Sequence, residues 1–260
     1  SPESVGLSSE RLERIDTAFE VGILEKRIPG AVIAIARHGK LVFFKAYGMQ
    51  NASTNTPMRT DSIFRIYSMT KPIVSVGAMT LHEKGKLYLS EPVGKYIPEL
   101  MNMTVAKAIS DPVTEVDTVE IVDTEQTIKI HDLLRHTAGF TYGFFGNSPA
   151  RQKLKESGIG NLNAMDISLK DFVSQLAKLP LAYQPGKHWE YGRSVEVLGH
   201  LMEVVSGQKL DSFMATNIFE PLNMVDTAFW VPKEDWSRIA EPLPNSGEPK
   251  LINVTQQPKL

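Results

Sequence analysis

Ser68 and Lys71 lie three residues apart in Ser68-Met69-Thr70-Lys71, at the start of an apolar, helix-like stretch. Positions i and i+3 of a helix share a face, so the hydroxyl and the amine point into the same space. A serine hydroxyl becomes an effective nucleophile when a neighbouring base takes its proton. A lysine does this only when neutral: its ordinary pKa of about 10.4 must fall to about 7–8, which costs about 4 kcal/mol. A helix N-terminus disfavours the ammonium by only about 0.3–1 kcal/mol. The remainder must come from burial against Met69 and the apolar helix, or from a second hydrogen-bonding partner. A tyrosine suits that task, because its oxygen can sit between the base and a leaving group. Taken alone, Ser-x-x-Lys is common, and a helix start with a solvated lysine explains it more simply.

The elements that must position this pair follow from the spacing of apolar residues. Residues 8–25 read as an amphipathic helix capped by Ser8 or Ser9, with Leu12, Ile15, Phe19 and Ile23 on one side. The apolar runs 31–36 and 41–47 flank Arg37-His38-Gly39-Lys40, the pattern of a β-hairpin with glycine in its turn. Their near-continuous apolarity predicts cover on both faces. From Ser68, the residues Ile73, Val74, Val76, Ala78, Met79 and Leu81 predict a helix buried on most sides, with Pro72 in its first turn and Gly85 as its stop. Residues 101–127 are polar and rich in Thr, Val and Asp, and read as an irregular excursion with a strand around 118–122. A short helix over 131–136 leads to the aromatic, glycine-rich loop 140–146. Ser168 caps another helix, which Pro180 ends. Trp189-Glu190-Tyr191 precedes a helix with Val195, Leu198, Leu201 and Val205, stopped by Gly207, and Asp211 is placed as the cap of a last short helix to Phe219. Residues 232–260 show no strong period.

Bulk composition narrows the classes. A chain of 260 residues with 42% hydrophobic and 22% charged residues is long enough to bury a sizeable core. A formal charge of −2 gives no basic field for nucleic acid. The absence of cysteine removes disulfides, thiolate catalysis and cysteine-based metal sites together. No apolar run approaches the roughly 18 residues of a membrane span. The start, Ser1-Pro2-Glu3-Ser4, resembles neither a signal peptide nor an initiator, so a processed or trimmed N-terminus is expected, with a cytoplasmic setting favoured and a periplasmic or secreted one left open. His131 and His136 are five apart, which misses the i, i+4 spacing of a helical zinc pair, and they are expected to make structural hydrogen bonds near the site. No Gly-x-Ser-x-Gly elbow and no phosphate-binding glycine motif occurs.

Context changes the weight of the serine–lysine pair. Ser68-Met69-Thr70-Lys71 is followed by His131-Asp132-Leu133-Leu134-Arg135-His136-Thr137-Ala138-Gly139, and then by Pro185-Gly186-x-x-Trp189-x-Tyr191. This order resembles the serine β-lactamase-like superfamily: class C β-lactamases, penicillin-binding D,D-peptidases, family VIII carboxylesterases and related acyltransferases. Together with Thr141-Tyr142-Gly143-Phe144 it looks most like the family VIII esterases. The resemblance runs through nearly the whole chain, as far as Glu220-Pro221-Leu222-Asn223-Met224. It implies an α/β (α+β) fold, in which an antiparallel sheet flanked by helices adjoins a mostly helical region, with the site in the cleft. The corresponding division is 1–85 for the N-terminal α/β part with the nucleophile helix, 86–230 for the helical region and 231–260 for an irregular return. By resemblance Ser68 is the nucleophile, Lys71 the general base and Tyr191 the proton shuttle. The backbone N–H of Ser68 is half of an oxyanion hole. Tyr142, Phe144 and Trp189, with Phe145 beside them, are candidate substrate-binding residues; no cofactor or metal is implied.

Two departures shape the expectation. Where the lactamases and peptidases carry Tyr-x-Asn, this chain has Tyr191-Gly192-Arg193. Arginine has no acceptor and carries a fixed charge, so it either faces solvent or meets a carboxylate. That disfavours a β-lactam or peptide substrate and suits a small-molecule ester. The family's third motif, which supplies the other oxyanion N–H, has no counterpart in a suitable place. A C-terminal segment of the same protein is therefore expected to complete the sheet. The expected function is ester cleavage through an acyl-enzyme. β-Lactamase, D,D-peptidase or acyltransferase activity with the same nucleophile is the alternative, and a non-catalytic ligand-binding relative is a rival of another class.

Overall fold

The first helix, α1 (Ser9–Leu24), begins where Ser8 Oγ accepts the Arg11 N–H at 3.3 Å. In this computed structural model, residues 1–110, 117–144, 146–159, 167–243 and Thr255 are described; Phe145 and residues 244–254 of the unpatterned C-terminal stretch lie outside them. Strands β1 (Gly30–Arg37) and β2 (Lys40–Asn51) pair antiparallel with Arg37 opposite Lys40. His38 and Gly39 between them have φ of 50° and 70°, the left-handed pair of a two-residue hairpin turn. Strand β3 (Thr56–Pro57) joins the other edge of β2. Asp16 of α1 accepts hydrogen bonds from Lys45 at 2.8 Å and Tyr47 at 2.5 Å, and Phe19 stacks on the Tyr47 ring at 5.5 Å. The chain from Trp230 returns to this unit: Ile239 bridges Ile63 in parallel, and Gln50 donates to the Ser237 carbonyl at 2.8 Å. These residues and Ser1–Ile66 make one compact unit.

The predicted cover on both faces of the hairpin is not found among the described residues. Side chains alternate between faces; α1 meets the face carrying Lys45 and Tyr47, while Phe44 on the opposite face stays 46% exposed. An apolar run reports that a strand can be covered, not that it is.

Residues Tyr67–Phe229 form a second unit, built around a helical core. A 3₁₀ turn, Tyr67–Met69, leads into α2 (Thr70–Glu83). An antiparallel hairpin follows, β4 (Thr104–Ser110) and β5 (Asp117–Asp123). Then come α3 (Ile130–Leu134), α4 (Pro149–Glu156), α5 (Leu169–Leu176), α6 (Ser194–Ser206) and α7 (Leu210–Met214), the last continuing as a π-helical turn over Ala215–Phe219. Helix α6 is the hub, touching α2, α3, α5 and α7. Its Val197, Leu198, Leu201 and Met202 join Val74 and Ala78 of α2, Leu133 of α3, Val173 of α5 and Met214 of α7 in one apolar cluster. Gly77 permits the α2 contact, since a Cβ there would fall 2.5 Å from Met214 Sδ.

Several expectations change. Helix α2 buries only the face of Val74, Gly77, Ala78 and Leu81; Val76 and Met79 are exposed, because the other helices approach from one side. The stretch read as irregular is the β4–β5 hairpin. The strand expected around 118–122 is β5, but β4 was hidden because its apolar residues fall in adjacent pairs, Val105-Ala106 and Ala108-Ile109, without the alternation that marks a half-buried strand. Asp211 does not cap α7: it lies in the first turn and accepts the Ser212 N–H at 2.6 Å, while Lys209 holds the cap position. Helix α4 was not foreseen, although Ser148-Pro149 carries a start signal and Ser148 Oγ accepts the Arg151 N–H at 3.4 Å. No helix among the described residues is long and apolar enough to cross a membrane.

Leu198 is fully buried in the hub. Leu198→Ala is expected to cost about 2–5 kcal/mol in urea unfolding, against less than about 0.5 kcal/mol for Val119→Ala on the exposed hairpin.

Candidate active site

Ser68 sits exposed in the tight turn ahead of α2. The residue before it, Tyr67, has φ of 44°, a left-handed conformation unusual for a side chain of its size. Lys71, within the first turn of α2, donates from Nζ to Ser68 Oγ at 3.2 Å. Tyr191, just ahead of α6, donates its hydroxyl to the same oxygen at 2.6 Å. The serine, the lysine and the tyrosine singled out in the sequence thus meet at one atom.

The segment that delivers Tyr191 is fixed from beneath. Asp132, 1% exposed, accepts from the Lys129 N–H at 3.0 Å, Thr137 Oγ1 at 2.7 Å and Arg135 at 3.0 Å. This folds residues 132–139 into a rigid turn, in which His136 adopts φ of 57°. The turn then holds the downstream segment through backbone hydrogen bonds: Gly186 N–H to Thr137 O and Glu190 N–H to His136 O, each 2.8 Å. Gly192 closes against residues 140–141 so tightly that a Cβ would lie 2.2 Å from the Phe140 carbonyl oxygen. On the other side of Tyr191 in sequence, buried Glu190 accepts from Arg151 at 2.6 Å and from Thr141, tying α4 and the 140–144 loop to the same strand of chain.

The electrostatics centre on Tyr191. Burial opposes its phenolate, but the hydrogen-bonding neighbours Lys71 and Ser68 and the charge of Lys71 outweigh this, and its pKa is lowered. The Lys71 amine lies 4.8 Å from the Tyr191 ring centroid and 5.8 Å from that of Tyr142. Met69 does not bury it, being 67% exposed; aromatic faces take that place. His136, beside them, has its pKa lowered by burial and then by the Lys71 charge.

The aromatic candidates form a row. Phe144 stacks on Tyr142 at 5.0 Å, Tyr142 meets Tyr191 at 5.4 Å, and Tyr191 stacks on Trp189 at 6.1 Å. His136 completes it, 5.1 Å from Tyr191 and 6.1 Å from Trp189. His136 makes its structural hydrogen bond through its backbone carbonyl, which accepts the Glu190 N–H, while its ring contacts are aromatic. Tyr142 is 4% exposed, so it is a floor, while Phe144 (53%) and Trp189 (66%) remain open at either end. Beside Phe144 a groove of about 930 Å³ runs along Gly143, Asn147, Gln152 and Lys155.

Of the two fates left open for Arg193, the structure shows the carboxylate: Arg193 is 5% exposed and donates to Glu196 at 2.8 Å. Its guanidinium lies 4.7 Å from the Tyr142 ring centroid and 5.4 Å from that of Phe172. Sequence reasoning missed Arg151, Glu190 and Glu196. Glu190 and Glu196 leave only the trace of a charge between aromatic or apolar neighbours, and Arg151 leaves none in its polar stretch; in a sequence alone all three look like solvent-facing polarity. Among the described residues no group of three or more His, Asp or Glu side chains converges as a metal site.

Comparison with known proteins places this arrangement. The chain is 31% identical over 243 residues to Esterase EstB of Burkholderia gladioli, covering 93% of this chain and 56% of the relative. It is 29% identical over 225 residues to lovastatin esterase of Penicillium rubens, covering 85% of this chain and 54% of that protein. It spans about half the length of these curated relatives. Among solved structures it resembles EstCE1, described as a hydrolase with promiscuous acyltransferase activity, with a TM-score of 0.74 and 25% identity over 95% of this chain and 63% of that one. The fold is β-lactamase-like, with helices and small antiparallel sheets. The Beta-lactamase family model matches residues 12–256, and with it the chain belongs to the Beta-lactamase family.

Proposed function

We propose that the protein is a serine hydrolase that cleaves carboxylic esters through an acyl-enzyme. One observation carries this reading: Ser68 Oγ receives hydrogen bonds from both Lys71 and Tyr191. Ser68 Oγ attacks the ester carbonyl carbon, and its proton passes to the Tyr191–Lys71 pair. The shorter bond and the lowered pKa favour Tyr191 as the immediate acceptor, with Lys71 as the charge that stabilises its phenolate. As the tetrahedral intermediate collapses, the carbon–alkoxy bond breaks and Tyr191 returns the proton to the departing alcohol. Water then attacks the acyl-Ser68, the pair takes its proton, and the carboxylic acid leaves as Ser68 regains its hydrogen. The Ser68 backbone N–H is assigned as an oxyanion donor.

Small esters fit better than β-lactams because Arg193 is turned into the protein and paired with Glu196, leaving no amide at that position to hold a substrate carbonyl. The names of Esterase EstB and lovastatin esterase support the same choice. Phe144 and Trp189, open at the two ends of the aromatic row, are assigned to binding the acyl and alcohol parts, over Tyr142 as floor. Transfer of the acyl group to an acceptor alcohol in place of water is a second reading, favoured by the likeness to EstCE1 and its acyltransferase activity.

The intact protein is expected to turn over p-nitrophenyl butyrate and to take up a fluorophosphonate probe, with both lost in Ser68→Ala. Turnover of a chromogenic cephalosporin alone would exclude the esterase reading. Tyr191→Phe is expected to lower kcat about 10²–10⁴-fold. Because the deprotonated tyrosine is the working form, kcat/KM rises with pH through the lowered Tyr191 pKa and then levels; in Tyr191→Phe this limb disappears. Trp189→Ala is expected to raise KM several-fold for esters with a bulky apolar group while changing kcat little.

A further inference from the structure

Arg193 and Glu196 are one turn apart at the start of α6, immediately after Tyr191 and Gly192. Arg193 Nη1 donates to Glu196 Oε1 at 2.8 Å, and the same oxygen accepts from the Tyr142 hydroxyl at 3.4 Å. The Arg193 guanidinium also covers the Tyr142 ring at 4.7 Å. The pair therefore holds Tyr142 at two points, by its ring and by its hydroxyl. Tyr142 in turn lies 5.4 Å from the Tyr191 ring and 5.8 Å from the Lys71 amine. The second carboxylate oxygen of Glu196 is buried with no hydrogen-bond partner among the described residues. Both of its hydrogen bonds therefore fall on the first oxygen, which holds the carboxylate beside Tyr142.

We infer that Arg193 and Glu196 are positioning residues of the proposed reaction: the pair fixes Tyr142 beneath Tyr191 and balances the charge felt at the Ser68–Tyr191 hydrogen bond. This rests on the serine-esterase reading. Among the described residues, the groups that face Tyr191 include Ser68 and Lys71 from the turn and start of α2, His136 from the turn after α3, Tyr142 from the 140–144 loop, its neighbour Trp189, and Glu196 from α6. Lys71 favours the phenolate and Glu196 opposes it. Arg193, bonded to Glu196, offsets that opposition. A negative charge beside a group that must become negative raises its pKa, and a positive charge lowers it. Removing the two members should therefore act in opposite directions.

The test is the pH dependence of kcat/KM for p-nitrophenyl butyrate in the intact protein, normalised to sites titrated by a fluorophosphonate. Glu196→Gln is expected to move the acid limb to lower pH by ~0.5–1 unit, and Arg193→Met to higher pH by a similar amount. The double variant returns toward the original limb, and Glu196→Asp, which keeps the charge, holds it. A role in stability alone lowers the number of titratable sites without moving the limb. Limbs that stay in place, or that move in the same direction in both single variants, overturn the inference. Should Arg193→Met fail to fold, the comparison of Glu196→Gln with Glu196→Asp decides. If the unmodified protein shows no Ser68-dependent turnover, the esterase reading itself fails and the inference falls with it, a result distinct from turnover with unmoved limbs.

Discussion

The hydrogen bond from the Tyr191 hydroxyl to Ser68 Oγ joins residues 123 positions apart, and most of the second unit serves to hold its two ends. One end depends on α2, which is locked against α6 and α7 by the missing Cβ of Gly77. The other depends on a relay of backbone contacts that begins at the buried Asp132 carboxylate and ends at the Glu190 N–H. Neither end is set by its own secondary structure. Tyr191 lies outside α6, and Ser68 precedes the regular turns of α2. A contact of 2.6 Å between two irregular segments survives only because apolar packing of the helices leaves their termini little freedom.

The surroundings of that bond contain an unusual share of charge. Asp132, Glu190 and Arg193 are all buried, and each has an ionic or charge-assisted partner. Such groups contribute little net stability, because taking them from water costs about as much as their attraction returns. What they supply is direction. A carboxylate with two or three donors has one acceptable orientation, whereas an apolar side chain of equal volume has several. The apolar cluster around α6 accounts for the fold, and the buried polar groups account for the alignment of side chains on it.

What could be read from the sequence follows this division. The helices with one apolar face were legible: Ser8 and Ser168 cap where expected, and Gly207 ends α6 with φ of 69°. The hairpin turn at His38-Gly39 was legible from its glycine. The meeting of Ser68, Lys71 and Tyr191 was legible as a resemblance, from motif order, because no local pattern specifies a contact across more than a hundred residues. Of the β4–β5 hairpin only β5 was legible; β4 was not, because its apolar residues fall in adjacent pairs that do not alternate. Met69 was read as a wall for Lys71, but the i+1 position of a turn points away from the face shared by i and i+3. The partnerships of Arg151 with Glu190 and of Arg193 with Glu196 were illegible beyond the choice left open for Arg193, since a charged residue carries no mark in sequence of being buried.

The aromatic row has a consequence for how such a protein can diversify. Its middle members, Tyr142 and Tyr191, are tied into the charged framework, so exchanging either disturbs the site's alignment. Its end members, Phe144 and Trp189, are more than half exposed and form no part of the apolar cluster. Replacement at these ends costs the folded state little, and Phe144 borders the groove along Gly143 and Lys155. On the proposed reading, chemistry and selectivity then fall on different residues of one stacked array. On that reading, exchange at Phe144 or Trp189 alters what the site accepts while leaving the alignment of Ser68, Lys71 and Tyr191 in place.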